Sequence, residues 1–391
     1  MKKLALGLAA AGLAACLSVS AAVAQTPIKI GFIATFSGTV GTLGQDQYDA
    51  FMLAVEQRGG KLGGVPVQVI KEDDQFKPEL AAQLAQKLID RENVPIITGI
   101  TASNVIMAIA KPITDRQVFL LSTNSGPSPL AGAQCSPYLY VVSWQGDNIS
   151  EVVGKYATTK GYGRMVLIAP NYQAGKDVLG GFKRMYRRPI AEEFYTGLNQ
   201  LDYSAEIAQI AALKPDAVFA FLPGGFGINF LRQYQQAGLL KTVPLLTTGV
   251  VDGTTLPALK DTALGVLGGA FWGPDMNNPV SKQFVAAFEK KYGRVPSTFA
   301  AQAYDGALLL DSAIAKTGGN MTDKQAFGAA LQAADFQSVR GKFRFNTNHF
   351  PIHDMHMYEA VKGEKGQVML KQVATPLTDH ADAYAAQCPL K

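Results

Sequence analysis

Short β-rich runs alternate with amphipathic helices along almost the whole chain, and then the rhythm starts again. Residues 28–33 read as a strand, and Tyr48, Phe51, Met52 and Val55 then share one helical face. Strand-like runs follow at 65–70, 94–97 and 119–121, separated by a helix stripe of Leu80, Leu84 and Leu88 and by a helix over 104–114. After Trp144 the pattern restarts. Helices are expected at 148–159, 174–186, 204–213 and 228–237, with strands at 165–169, 191–195, 217–221 and 244–247. This β-α-β-α order folds as a parallel sheet with helices on both faces, and here it does so twice. Long helices follow at 281–292 and 300–316, and Thr322 is placed to cap one containing Phe327 and Leu331. The stretch 341–370 reads as strands with tight turns. The expectation is an α/β protein of two Rossmann-like lobes with parallel-rich sheets.

The first residues narrow the compartment. Lys2 and Lys3 precede an apolar run from Leu4 to Ala15, and Ala22-Val23-Ala24 fits an A-x-A cleavage site, so 1–24 read as a signal peptide with the mature chain starting at Gln25. Leu13-Ala14-Ala15-Cys16 offers a second reading, a lipobox acylated at Cys16, although the apolar stretch after it makes a poor tether. A periplasmic location follows. The formal charge of +5 falls to +3 without Lys2 and Lys3, which argues against nucleic acid. The basic cluster Lys183, Arg184, Arg187 and Arg188 reads as a solvated helix end. Export leaves Cys135 and Cys388 in an oxidising compartment, as one disulfide or as two separate thiols.

In parallel α/β sheets ligands meet the loops at the carboxyl ends of the strands. Here those loops are 34–44, 99–104, 122–129, 169–175, 222–227 and 247–254. They carry no G-x-G-x-x-G spacing, no Walker sequence and no G-x-S-x-G elbow, so neither a cofactor nor a nucleophile–base pair is expected. His349, His353, His356 and His380 have neither regular spacing nor acidic partners, and no metal site is expected.

The same loops carry a resemblance. Ile30-Gly31-Phe32 with Ser37-Gly38 and Gly44, Gly60-Lys61-Leu62-Gly63-Gly64, Glu72-Asp73-Asp74 with Pro78, Leu121-Ser122 and Ala303-Tyr304-Asp305-Gly306-Ala307 resemble the Leu/Ile/Val-binding family of type I periplasmic solute-binding proteins. The resemblance implies two lobes joined by a three-crossover hinge, with crossovers near 142–144, 271–273 and 346–349. Lobe 1 would hold 26–143 plus 273–347, and lobe 2 would hold 144–272 plus 348–391. It also implies closure over a small molecule and recognition by the permease subunits of an ABC transporter, with no enzymatic activity. A periplasmic sensor would share the fold.

By the same resemblance Ser103 and Asn104, at a helix start, would hold a ligand carboxylate, although Ser103 would also serve as a helix cap. The amino-acid binders offer a threonine and a glutamate to the ammonium group. Here the first position reads Ser125-Gly126-Pro127 and the second falls on Phe226. With Tyr172, this is similar to the branch that binds aromatic carboxylates such as benzoates and phenylpropanoids. Core filling by Phe226 and a surface position for Tyr172 are the plain alternatives. A branched-chain amino acid held by Asp252 is the runner-up ligand, and Ser37 completes the candidate set.

Overall fold

The computed structural model describes residues 26–364 and 366–390, so the expected signal peptide and Cys16 lie outside the described residues. The first sheet comprises β1 (Ile28–Ala34), β2 (Lys61–Leu62), β3 (Val65–Asp73), β4 (Ile96–Gly99), β5 (Phe119–Ser122) and β6 (Leu139–Val141). Their order is β2-β3-β1-β4-β5-β6, parallel except for the β2–β3 hairpin. Helices α1 (Gly41–Gln57), α2 (Pro78–Asp90), α3 (Ser103–Thr114) and the short α4 (Ser128–Ala131) connect these strands.

The second module contains α5 (Asn148–Lys160), β7 (Met165–Pro170), α6 (Gln173–Tyr186), β8 (Ile190–Thr196), α7 (Ser204–Leu213), β9 (Ala217–Phe221), α8 (Gly225–Gln236), β10 (Leu245–Thr248), α9 (Leu256–Leu259) and β11 (Leu267–Ala270). The chain then returns to the first lobe as α10 (Pro279–Tyr292), α11 (Thr298–Lys316) and α12 (Lys324–Gln332). There Tyr292 Oη donates to Asp49 O of α1 at 2.8 Å, and the Arg294 guanidinium pairs with Asp46. Finally β12 (Arg344–Phe345), β13 (Pro351–Lys362) and β14 (Val368–His380) complete a sheet ordered β12-β13-β11-β10-β9-β7-β8, with β14 on β13. Strands β8 to β11 run parallel with β7, whereas β13 is antiparallel to β11 and β14.

Three passages connect the two sheets and their helices: from β6 to α5, from β11 to α10, and from α12 to the β12–β13 pair. Arg340 joins the first two of these passages. Its buried guanidinium donates to Ser143 O at 2.7 Å and to the buried Asp305 carboxylate at 3.0 Å, and it lies 4.4 Å from the Phe271 ring centroid. At the C-terminus Cys135 and Cys388 form a disulfide with a Cα–Cα distance of 5.7 Å. Nearby, Tyr384 Oη donates to Asp147 of the first passage at 2.7 Å.

Two local readings are corrected. The side chain that caps α12 is Asp323, which accepts from Ala326 N, and not Thr322. Arg184 does not merely solvate a helix end, because its guanidinium turns inward onto Asp147 and Glu151. A buried carboxylate pair needs a cation, and the end of α6 supplies one.

Candidate functional site

Both sheets reverse their winding next to the cleft. In the first, β1 lies between β3 and β4, and in the second β7 lies between β8 and β9. Loops leaving the strands at such a switch point diverge and leave a crevice. A cavity of about 90 Å³ fills it. At ~10–15 Å³ per water on this measure it has room for about six to nine waters, the size of a small ring with one short substituent.

Its walls are aromatic. Phe76 comes from the first lobe, Tyr172 and Phe221 from the second, and Trp144 and Phe271 from the passages between them. The Tyr172 and Phe221 rings are stacked 6.4 Å apart with an interplanar angle of 7°, and Phe76 meets the edge of Tyr172 at 6.2 Å. Trp144 stacks on Phe271 at 5.6 Å, so the hinge itself forms one wall. Sequence reasoning passed over Phe76, Trp144 and Phe221 as ligand-facing residues. Their signal was position, since Phe221 ends a strand and Trp144 lies where the rhythm restarts.

Polar groups are few and sit at the ends. Ser103 is the first residue of α3, and the residue before it, Ala102, has no side-chain oxygen to cap the helix. The first N–H groups of α3 therefore begin at the cavity wall without a side-chain cap, an arrangement that favours an anion. The Ser103 hydroxyl does not cap its own helix. It accepts from Ala174 N of α6, in the other lobe, at 2.9 Å. Ser125 lies beside it, buried, and its backbone carbonyl accepts from Ser122 Oγ. Gly126 is there for space: a Cβ would lie 2.1 Å from Trp144 O, so no threonine fits at this position.

More contacts bridge the lobes. Ser128 donates from both its N–H and its hydroxyl to Asp177 of α6, at 2.9 and 2.6 Å. Burial raises the Asp177 carboxyl above its ordinary value, while these bonds and Gln173 oppose the shift. Gly224, at φ +61°, brings the start of α8 against the first lobe, where a Cβ would lie 3.0 Å from Thr39 O. The lobes are thus in contact over the cavity.

Five of the expected site residues, Ser103, Ser125, Gly126, Tyr172 and Asp252, line this cavity, and three do not. Phe226 packs in the second lobe's core on the same stripe of α8 as Phe230 and Tyr234. Asn104, one helical step on from Ser103, is turned toward Phe76 O at 3.5 Å. Ser37 is solvent-exposed beside Asp73, whose carboxyl it helps to hold low. Burial raises the Tyr172 hydroxyl, with Asp177 adding to the effect, so it stays protonated.

The family model described as periplasmic binding protein matches residues 27–366. The chain belongs to the periplasmic binding protein family. Among the relatives of this periplasmic binding protein is Leu/Ile/Val-binding protein homolog 6 of Brucella melitensis, 28% identical over 96% of this chain and 97% of the relative. A solute-binding protein of an ABC transporter from R. palustris, solved with benzoate, superposes with a TM-score of 0.88 at 28% identity, covering 93% of this chain and all of that one. Another, from Rhodopseudomonas palustris BisB5 with 3,4-dihydroxybenzoic acid, gives 0.84 at 27% identity over 91% and 99%. A periplasmic location goes with the family. No helix among the described residues is long and apolar enough to cross a membrane.

Proposed function

We propose that this protein is the solute-binding component of an ABC importer and that it closes over a small aromatic carboxylate for delivery to the permease subunits. The observation that carries the reading is the cavity itself, in which Phe76, Tyr172, Phe221 and Trp144 surround a space whose first-lobe end is the uncapped start of α3. An aromatic body gains from those rings, and a carboxylate gains from the free N–H groups with Ser103 and Ser125. Of the expected residues, Ser103, Ser125, Tyr172 and Asp252 are assigned to ligand contact and Gly126 to clearance. The lobes are assigned as 26–143 plus 273–347 and 144–272 plus 348–391. Export is assigned to a leader cleaved after Ala24.

A ligand that binds only the folded state raises the melting temperature. The test is therefore a thermal-shift screen of benzoates and cinnamates against leucine, isoleucine and valine. The expected outcome is a rise with aryl carboxylates. A response to the aliphatic amino acids alone overturns the reading.

A further inference from the structure

We infer that Asp252 accepts a hydrogen bond from a ring hydroxyl of the ligand, so that the solute is a hydroxylated aromatic carboxylate. This rests on the site being an aromatic-acid pocket, and it adds what the far end of the molecule must carry.

Asp252 lies in the loop between β10 and α9, on the cavity wall, and is 4% exposed. One carboxylate oxygen, Oδ1, accepts from both the N–H and the hydroxyl of Thr254 at 2.6 Å. The other, Oδ2, is buried without a hydrogen-bond partner among the described residues. A carboxylate offers acceptor sites on both oxygens, and leaving one empty away from water is costly. Among the described residues no cation pairs with it. The neighbouring charge is Asp46, which works against the Asp252 charge and is itself held by Arg294. A donor arriving in the cavity would complete its hydrogen bonding.

A hydroxyl and an ammonium both donate, but the wall distinguishes them. Thr298 and Phe299, the first two residues of the long α11, line the same cavity. The positive end of that helix disfavours a cation. An ammonium also needs acceptors for three protons, whereas one free carboxylate oxygen matches a single O–H. Ser103 lies in the first lobe and Asp252 in the second, so a hydroxy acid spanning both ends holds the lobes together.

The experiment is calorimetric titration of ligand-stripped protein with matched acids, benzoate against 3- and 4-hydroxybenzoate and 4-methoxybenzoate, and cinnamate against 4-hydroxycinnamate, with tyrosine and phenylalanine alongside. The parent is expected to bind one hydroxy acid about ten- to a hundredfold more tightly than its unsubstituted partner, the effect of one hydrogen bond to a charged group. The methoxy acid, which has no proton to donate, should bind no better than benzoate. In Asp252→Asn, which keeps an oxygen for Thr254, the hydroxyl preference should fall to less than about threefold. If benzoate binds and hydroxylation adds nothing, or if Asp252→Asn keeps the preference, this inference falls and the aromatic-acid reading stands. Tighter binding of tyrosine or phenylalanine than of any hydroxy acid assigns Asp252 to an ammonium and overturns it. If no aromatic acid binds, both fall. The comparison within the parent protein does not depend on any variant folding.

Discussion

The Ser103 hydroxyl accepts a 2.9 Å hydrogen bond from the N–H of Ala174, so a residue opening a helix in one lobe completes the opening turn of a helix in the other. The bond exists only when the lobes meet. Ser103→Ala should remove this contact together with one to the ligand carboxylate, and affinity should fall about ten- to a hundredfold. Calorimetry on the variant checks this, and parental affinity would show that the carboxylate lies elsewhere.

Asp177 is the other cross-cleft latch, holding the Ser128 N–H and hydroxyl. Asp177→Asn keeps the shape but weakens both bonds. Small-angle scattering at saturating ligand should show a less compact particle than the parent, with the ligand-free profiles superimposing.

Phe226 occupies the core with Phe230 and Tyr234 and does not line the cavity. Phe226→Ala should cost about 3–5 kcal/mol of unfolding free energy while leaving the ranking of ligands unchanged. Denaturant unfolding and a ligand screen of the same sample check both halves. A changed ranking would return Phe226 to the site.

Burial pushes the Asp252 carboxyl up to about 6, against the opposing Thr254 bonds and with help from Asp46. Its folded value lies above its ordinary one, so the folded state binds more protons between the two, and keeping the group charged costs stability above about 6. Ligand-free Asp252→Asn should therefore melt above the parent at neutral pH, and that advantage should vanish as the pH falls below the ordinary carboxylate range. Preference for hydroxy acids over unsubstituted ones should decline across the same window, because a protonated Asp252 no longer accepts as a carboxylate. A preference unchanged from pH 7.5 to pH 5 would contradict this.

Thiol titration of denatured, unreduced protein lacking residues 1–24 should find neither Cys135 nor Cys388 free. Cys388→Ser should lower stability by about 2–5 kcal/mol.

The alternation of strand and helix was readable because period and length distinguish the elements. Strands β6 and β11 were not readable. Leu139–Val141 spans three residues, and Leu267–Ala270 contains Gly268 and Gly269, so neither shows a period. Their partners across the sheets impose them. Ser103 and Tyr172, singled out by the resemblance, both stand where a strand hands over to a helix and both line the cavity. Phe226 was singled out because the resemblance places it where the amino-acid binders carry a glutamate, but its i, i+4, i+8 spacing with Phe230 and Tyr234 marks a core stripe, the alternative that the packing favours. The aromatic wall went unseen because Phe76, Trp144 and Phe221 come from three separate stretches of chain, and their convergence is a property of the packing.

The bond between Cys135 and Cys388 joins residues 253 positions apart, and all three passages between the lobes fall inside the ring it closes. A protease that cuts any one of those passages therefore yields a nicked molecule in one covalent piece. It would separate into fragments only once a reductant reached the bond as well.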